Sequence, residues 1–517
     1  MCRSRVALSL VLAAVLVTSA CSSSSSGGAA EPSRDDAATT STTSGPGFDP
    51  EAVGAVTVEG PVTGGEGTPV LAQGTPDLAA KGYVEEEFFL TGEASAFTSD
   101  EALTTDGRWT VERGGTADYT TRVLVRRPGD AADFNGTVVV EWLNVTGGLD
   151  APAMYTLTQV ELLRTGAAWI GVSAQQAGIS GSGGLGDRLR LKNADPERYA
   201  PLDHPGDDFS YDLFAQVGGA VRTQPDVLLG GLEPEVVLAT GESQSAFRLS
   251  TYVNAVQPGT GAYDGFLVVS RADPGAALAE DTGAPVAAPD PTLVRDDLAT
   301  PVLVLSSETD LGDGIGYDRG RQPDTDTFRG WEVAGTAHYD AYGLTIGAGD
   351  EGTGEGDAAL FAALTDPPSA IYGGVIECDR PFNAGPFTYA ARAAVAALDT
   401  WVRTGEPPPE MPRLTVEDGA PVADRDGNAE GGIRTPQLDV PLATLSGSGQ
   451  PPNGFCGLFG TTVPFDEATR VERYGDHAGF VAEWDAAVDA AVASGAVLEA
   501  DAEHLKQAAA QADVLGG

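Results

Sequence analysis

Six segments of the chain are almost continuously apolar and rich in β-branched residues: TVVVEWLNV (137–145), AAWIGVSA (167–174), EVVLATG (235–241), GFLVVS (265–270), PVLVLSS (301–307) and RGWEVAG (329–335). Strands covered on both faces have this texture, because neither side can carry solvent-facing polar residues. Between them lie stretches with helical spacing, such as TLTQVELLRTG and YDLFAQVGGAVRT. Alternation of β and α predicts a mostly parallel sheet flanked by helices, an α/β fold. From Val53 to Thr121 the runs are shorter and broken by Gly and Asp (VTVEG, YVEEEFFL, WTVERG), which predicts short antiparallel strands and hairpins. Beyond residue 345 helices dominate. YAARAAVAALDTWVRTGEPPP aligns Ala394, Leu398 and Trp401 and stops at Gly405, and FVAEWDAAVDAAVAS aligns Phe480, Trp484, Val488 and Ala491.

The amino terminus follows a different logic. Arg3 and Arg5 precede an apolar run from Val6 to Val17 and a small-residue segment before Cys21, which is the layout of an export signal. The run is too short to span a bilayer, which takes roughly 20 helical residues. Thr18-Ser19-Ala20-Cys21 resembles a lipobox, so Cys21 is expected to be acylated after removal of residues 1–20. Residues 21–52 are rich in Ser, Gly, Ala and Thr and read as a tether, leaving 53–517 as the folded domain, with 346–517 as a helix-rich extension or lid. With Cys2 in the signal, Cys378 and Cys456 remain. Outside the cytoplasm they are expected to form a disulfide that ties the C-terminal helices together.

Charge narrows the partners. Against 75 Asp and Glu stand 30 Lys and Arg, a net charge of -45, so clustered cations for nucleic-acid phosphates are missing and no nucleic-acid partner is expected. Membrane contact is expected only through the lipid anchor. The four histidines and four cysteines lack zinc-ligand spacing, and no metal or other cofactor is expected. The segment DRDGNAEGG from Asp424 departs from a calcium loop at Ala429 and Thr435 and reads as a plain turn. Oligomeric state is not readable from sequence.

The chemistry concentrates in VVLATGESQSAFRLS (236–250), an apolar strand running through Gly-x-Ser-x-Ser into a helical pattern. A nucleophile elbow is built this way: the tight turn pushes the Ser243 hydroxyl above the sheet edge and aims the first helical N–H groups at a reacting carbonyl. Ser243 or Ser245 could instead simply cap the helix. A nucleophilic serine needs an acid after a later strand, and SSETDLGDG supplies Asp310, with Glu308 as substitute. It also needs a histidine last in order, after another strand, and among the four only His338 in WEVAGTAHYD qualifies. Gln244 N–H is one expected oxyanion donor. The other is expected within EWLNVTGG, where Asn144 to Thr146, Asn144 first, are candidates.

These blocks, together with DPERYAPLDHPGDDFSYDLFAQ and GGIRTPQLDVPLATLSG, resemble a family of bacterial α/β-hydrolase-domain proteins of uncharacterised function that includes secreted and lipoprotein hydrolases. The resemblance covers nearly all of residues 53–517. It implies Ser243 as nucleophile, His338 as base and the Glu308/Asp310 segment as acid, and it implies no particular substrate. The expected activity is hydrolysis of a small-molecule carboxylic ester outside the cytoplasm through an acyl-enzyme, with loss of rate on acidification at about pH 6 to 7 as His338 protonates. The rival expectation is a non-catalytic ligand-binding lipoprotein on the same fold.

Overall fold

The computed structural model describes residues 47–516 apart from 183–185, 281–284, 313 and 452–453. Cys21, the signal segment and most of the tether therefore lie outside the described residues. Residues 48–52, assigned to the tether by composition, already pack on the domain: Phe48 rests on the core and Asp49 N–H donates to Thr260 O at 3.2 Å. Among the described residues no helix is long and apolar enough to cross a membrane.

Nine strands form one sheet: β1 (Thr57–Glu59), β2 (Tyr83–Thr98), β3 (Glu112–Pro128), β4 (Thr137–Trp142), β5 (Ala168–Val172), β6 (Val236–Glu242), β7 (Gly265–Val269), β8 (Val302–Ser307) and β9 (Phe328–Val333). Their order is β1-β2-β3-β5-β4-β6-β7-β8-β9. From β5 through β4 to β9 every pairing is parallel, and β1, β2 and β3 add antiparallel strands at one edge. All six apolar runs are strands, and every residue of β4 to β9 is buried, as a sheet covered on both faces requires.

The N-terminal strands are antiparallel, as expected, but longer than the sequence runs suggest. Instead of several short strands, the chain makes one long hairpin of 16 and 17 residues, with a register shift near Ser95 and Phe97. Gly92, which looks like a turn signal, lies in extended backbone opposite Tyr119. A Cβ there would sit 3.0–3.2 Å from Gln216, Val56 and Tyr119, so the glycine marks close packing rather than a turn.

Helices α1 (Ala153–Thr165), α2 (Ser210–Thr223), α3 (Gln244–Ala255) and α4 (Phe387–Thr404) pack on the sheet and on one another. In α4 the expected face, Ala394, Leu398 and Trp401, is buried and the helix ends at Gly405. This helix touches β6, β7 and β8 as well as α1, so part of the C-terminal third belongs to the central sandwich. Helix α5 (His477–Ser494) buries Phe480, Trp484, Val488 and Ala491 and pairs with α6 (Glu499–Gln511).

The hairpin β10 (Ala443–Ser446) and β11 (Thr461–Pro464) carries the Cys378–Cys456 disulfide on its flank, with Cα atoms 5.7 Å apart. That bond lies in a small apolar cluster with Ala341, Ile371, Phe382 and Phe459. It therefore secures the segment beside residue 338 rather than tying the C-terminal helices, which hold one another through their own apolar faces.

Candidate active site

Strand β6 ends at Glu242 and helix α3 begins at Gln244, so the whole turn falls on Ser243, whose backbone has φ 59° and ψ -123°. Few non-glycine residues adopt this conformation, and holding one there costs about 1–3 kcal/mol. The neighbours impose it: Ser243 N–H donates to Val269 O at 3.0 Å, extending the β6–β7 ladder, while Ser243 O already accepts from Phe247 N–H at 3.1 Å as the helix starts. Gly241 lets strand and helix meet, since a Cβ there would stand 3.1 Å from Ser245 Cβ and 3.2 Å from Ser245 main-chain atoms. Although Ser243 occupies the cap position, its side chain makes no capping hydrogen bond, so capping does not account for it. The residue is half-buried at the carboxyl edge of the sheet.

The loops after β8 and β9 converge beside it. Asp310 Oδ2 accepts from Ser307 N–H at 2.6 Å and its Oδ1 lies 2.6 Å from His338 Nδ1, which pairs the two residues inside the protein. Glu308 points elsewhere. Its Oε2 accepts from Gly335 N–H and its Oε1 from Ser446 hydroxyl and Gly447 N–H, each at 3.0 Å, so it ties the histidine loop to the β10–β11 hairpin. Thr309 helps in the same way, its hydroxyl donating to Gly447 O at 2.5 Å and accepting from His338 N–H at 3.1 Å. Tyr339 N–H reaches Leu458 O at 3.2 Å, two residues from the disulfide. The C-terminal third thus holds the histidine loop from behind.

The other ring nitrogen, His338 Nε2, faces a residue that sequence reasoning passed over. Glu242 Oε1 stands 3.2 Å away, not aligned as a hydrogen bond, and neither atom has another partner among the described residues. Glu242 is 4 % exposed and His338 2 %. Burial pushes the Glu242 carboxyl up to about 7, with Asp310 adding to the rise and His338 and Asn144 opposing it. Burial alone would lower the His338 pKa, but Glu242 and Asp310, with the hydrogen bond to Asp310, outweigh it and raise it above the ordinary value. The signal for Glu242 was its place inside Gly-x-Ser, a position whose side chain the motif leaves open.

Asn144 also differs from expectation. Its N–H is committed to Ala151 O at 3.0 Å, and its side-chain amide donates to Glu242 O at 3.0 Å and Glu242 Oε2 at 3.3 Å. Thr146 N–H is taken by Asn144 Oδ1 at 2.8 Å. Among the described residues Val145 N–H in this loop has no acceptor, nor has Gln244 N–H at the first position of α3. Gln244 is oriented by its own side chain, which donates to Gln175 Oε1 at 2.8 Å.

The remaining histidines have structural partners. His204 Nε2 lies 2.9 Å from Ala174 O, His477 contacts Val514 O and Ala510 O, and His504 pairs with Asp357 at 3.4 Å. In the turn at Asp424, that residue accepts from Asp426 and Asn428 N–H, while Arg434 pairs with Asp424 and Arg473 with Asp426. Among the described residues no group of three or more His, Cys, Asp or Glu is placed to hold a metal ion.

The sequence of residues 58–507 matches the family described as alpha/beta hydrolase domain. The chain belongs to that family. No curated protein gives a match to this chain. Solved structures similar to part of it include an esterase from Rhizomucor miehei, at 14% identity over 39% of this chain and 46% of that one, with a TM-score of 0.21. The chain thus spans under half the length of that esterase. Others are the glucuronoyl esterase from Solibacter usitatus, at 13% identity over 52% and 70% with a TM-score of 0.26, and a thermostable esterase from Pseudomonas putida ECU1011, at 14% over 45% and 66% with 0.23.

Proposed function

We propose that this protein is a serine hydrolase that cleaves a carboxylic ester through Ser243, His338 and Asp310. The observation that carries the reading is the conjunction of a strained, uncapped Ser243 at a strand-to-helix turn with the buried His338–Asp310 pair. Asp310 keeps the proton of the neutral imidazole on Nδ1, which leaves Nε2 with a lone pair on the side facing the end of β6. His338 takes the Ser243 hydroxyl proton as Oγ attacks the ester carbonyl. The N–H groups of Gln244 and Val145 receive the oxyanion, and His338 then protonates the leaving alcohol. Water, activated by the same histidine, releases the acid. Esterase names among the partly similar structures are in keeping with an ester as the bond.

The reading extends to location: Cys21 acylated and residues 22–47 spacing the domain from a membrane, on the outer side of the cytoplasmic barrier. A fluorophosphonate probe tests the chemistry. Labelling of Ser243, absent in Ser243→Ala, supports the hydrolase, while a folded protein that remains unlabelled favours the ligand-binding alternative. A panel of nitrophenyl and sugar esters of graded size then identifies the acyl and alcohol groups.

A further inference from the structure

We propose that Glu242 is a positioning residue that gates the base of this hydrolase: its carboxylate shares a proton with His338 Nε2 and must release it before that nitrogen can serve Ser243. The inference rests on the hydrolase reading and adds a regulation of the same site. Two carboxylates flank one imidazole, Asp310 at 2.6 Å from Nδ1 and Glu242 at 3.2 Å from Nε2, all three side chains being nearly inaccessible. With Nδ1–H directed at Asp310, a neutral histidine would leave an Nε2 lone pair 3.2 Å from a carboxylate oxygen, though not in line with it. Two electron-rich atoms at that distance repel inside a protein unless one of them carries a proton. One proton is therefore held by the pair, on Nε2 or on Glu242. In that state Nε2 cannot accept from Ser243.

Loss of the proton to solvent changes the balance. The Glu242 carboxylate already has a second partner in the Asn144 amide, at 3.3 Å from Oε2, and repulsion from the Nε2 lone pair drives it toward that donor. The ring nitrogen is then free for the Ser243 hydroxyl. When His338 accepts the serine proton during attack, the imidazolium forms between two negative groups, so the residue that blocks the base at low pH strengthens it at high pH.

The charged and titratable groups around the pair are Asp310 from the β8 loop, Glu141 on β4, which interacts with Glu242 at longer range, and the Tyr339 phenol, which hydrogen-bonds Gln73 and also feels Glu242. Among the described residues no lysine or arginine is paired with either partner.

The test compares wild type with Glu242→Gln, an isosteric change, and Glu242→Asp, which keeps the charge but withdraws it. The readouts are the rate of Ser243 labelling by a fluorophosphonate and kcat/KM for p-nitrophenyl acetate, each from pH 5 to 10. The expected wild-type rate rises through a midpoint above the ordinary histidine value of about 6.5, and Glu242→Gln lowers that midpoint by about one pH unit or more. Glu242→Asp should fall between them. Imidazole NMR of the wild-type protein, where only four histidines contribute, should show His338 titrating above the ordinary histidine value of about 6.5. An unmoved midpoint in a folded Glu242→Gln protein, or a wild-type His338 titrating at or below about 6.5, overturns the gate. Failure of Ser243 to label at any pH would instead count against the hydrolase reading, and the NMR titration would still decide the Glu242–His338 coupling.

Discussion

Replacing Asp310 by Asn, set beside Glu308→Gln, separates the two carboxylates that lie two residues apart after β8. Asp310 receives Ser307 N–H on Oδ2 and faces His338 Nδ1 with Oδ1. In the asparagine variant one of these atoms becomes an NH2 donor. Ser307 N–H is a fixed main-chain donor, so the amide oxygen turns to it and the NH2 faces the ring. His338 Nδ1 must then accept, its proton moves to Nε2, and the nitrogen that should take the serine proton already carries one. The same tautomer reversal in a protease triad lowers kcat by about 10⁴-fold, equivalent to about 5.4 kcal/mol at 1.36 kcal/mol per decade. Glu308→Gln acts on different atoms. Three donors converge on Glu308, and with its carbonyl kept toward Ser446 and Gly447 the new NH2 meets Gly335 N–H, leaving a buried donor unpaired at a cost of about 1–3 kcal/mol in stability. Its rate per labelled site should stay within about threefold of wild type. Steady-state ester hydrolysis, normalised by fluorophosphonate titration and accompanied by urea unfolding, reads both effects. A folded Asp310→Asn protein within tenfold of wild-type rate, or a Glu308→Gln protein as inactive as Asp310→Asn is expected to be, would refute the assignment.

Ser243→Ala should abolish turnover, by about 10⁶-fold where a triad acts as a unit, and leave the fold intact. Ser245→Ala should leave both rate and stability nearly unchanged, because the Ser245 hydroxyl is buried without a partner and only its small size is needed against Gly241. Ester hydrolysis and thermal melts on the two variants check this. Removing the disulfide by Cys378→Ser with Cys456→Ser opens a loop of 78 residues and should cost about 4 kcal/mol in denaturant unfolding, with the segments beside His338 losing amide-exchange protection first. Mass spectrometry of membrane-extracted protein should find the chain beginning at an acylated Cys21, and an unmodified Cys21 there would remove the anchor from the proposed function.

Local pattern was enough for the parallel strands of the sheet. Continuous apolar runs identified β4 to β9 to within three residues at each end, because burial on both faces is written into consecutive positions. Helical spacing likewise identified the buried faces of α4 and α5. The Gly241–Ser245 stretch carried the elbow for the same reason: strand, tight turn and helix are neighbours in sequence. What depends on atoms brought together from distant segments was not legible. Strand order, with β5 lying between β3 and β4, is set by how crossovers wind and not by any strand's own composition. The long β2–β3 hairpin hid behind glycines that serve packing. Asp310 and Glu308 differ in nothing local. They are distinguished by which one meets His338 and which one meets the β10–β11 hairpin, more than 130 residues further on. Glu242 reads as a spacer in the motif and acquires a role only when the fold sets His338 and Asn144 against its carboxylate, since the energy of a buried charge depends on its neighbours in space.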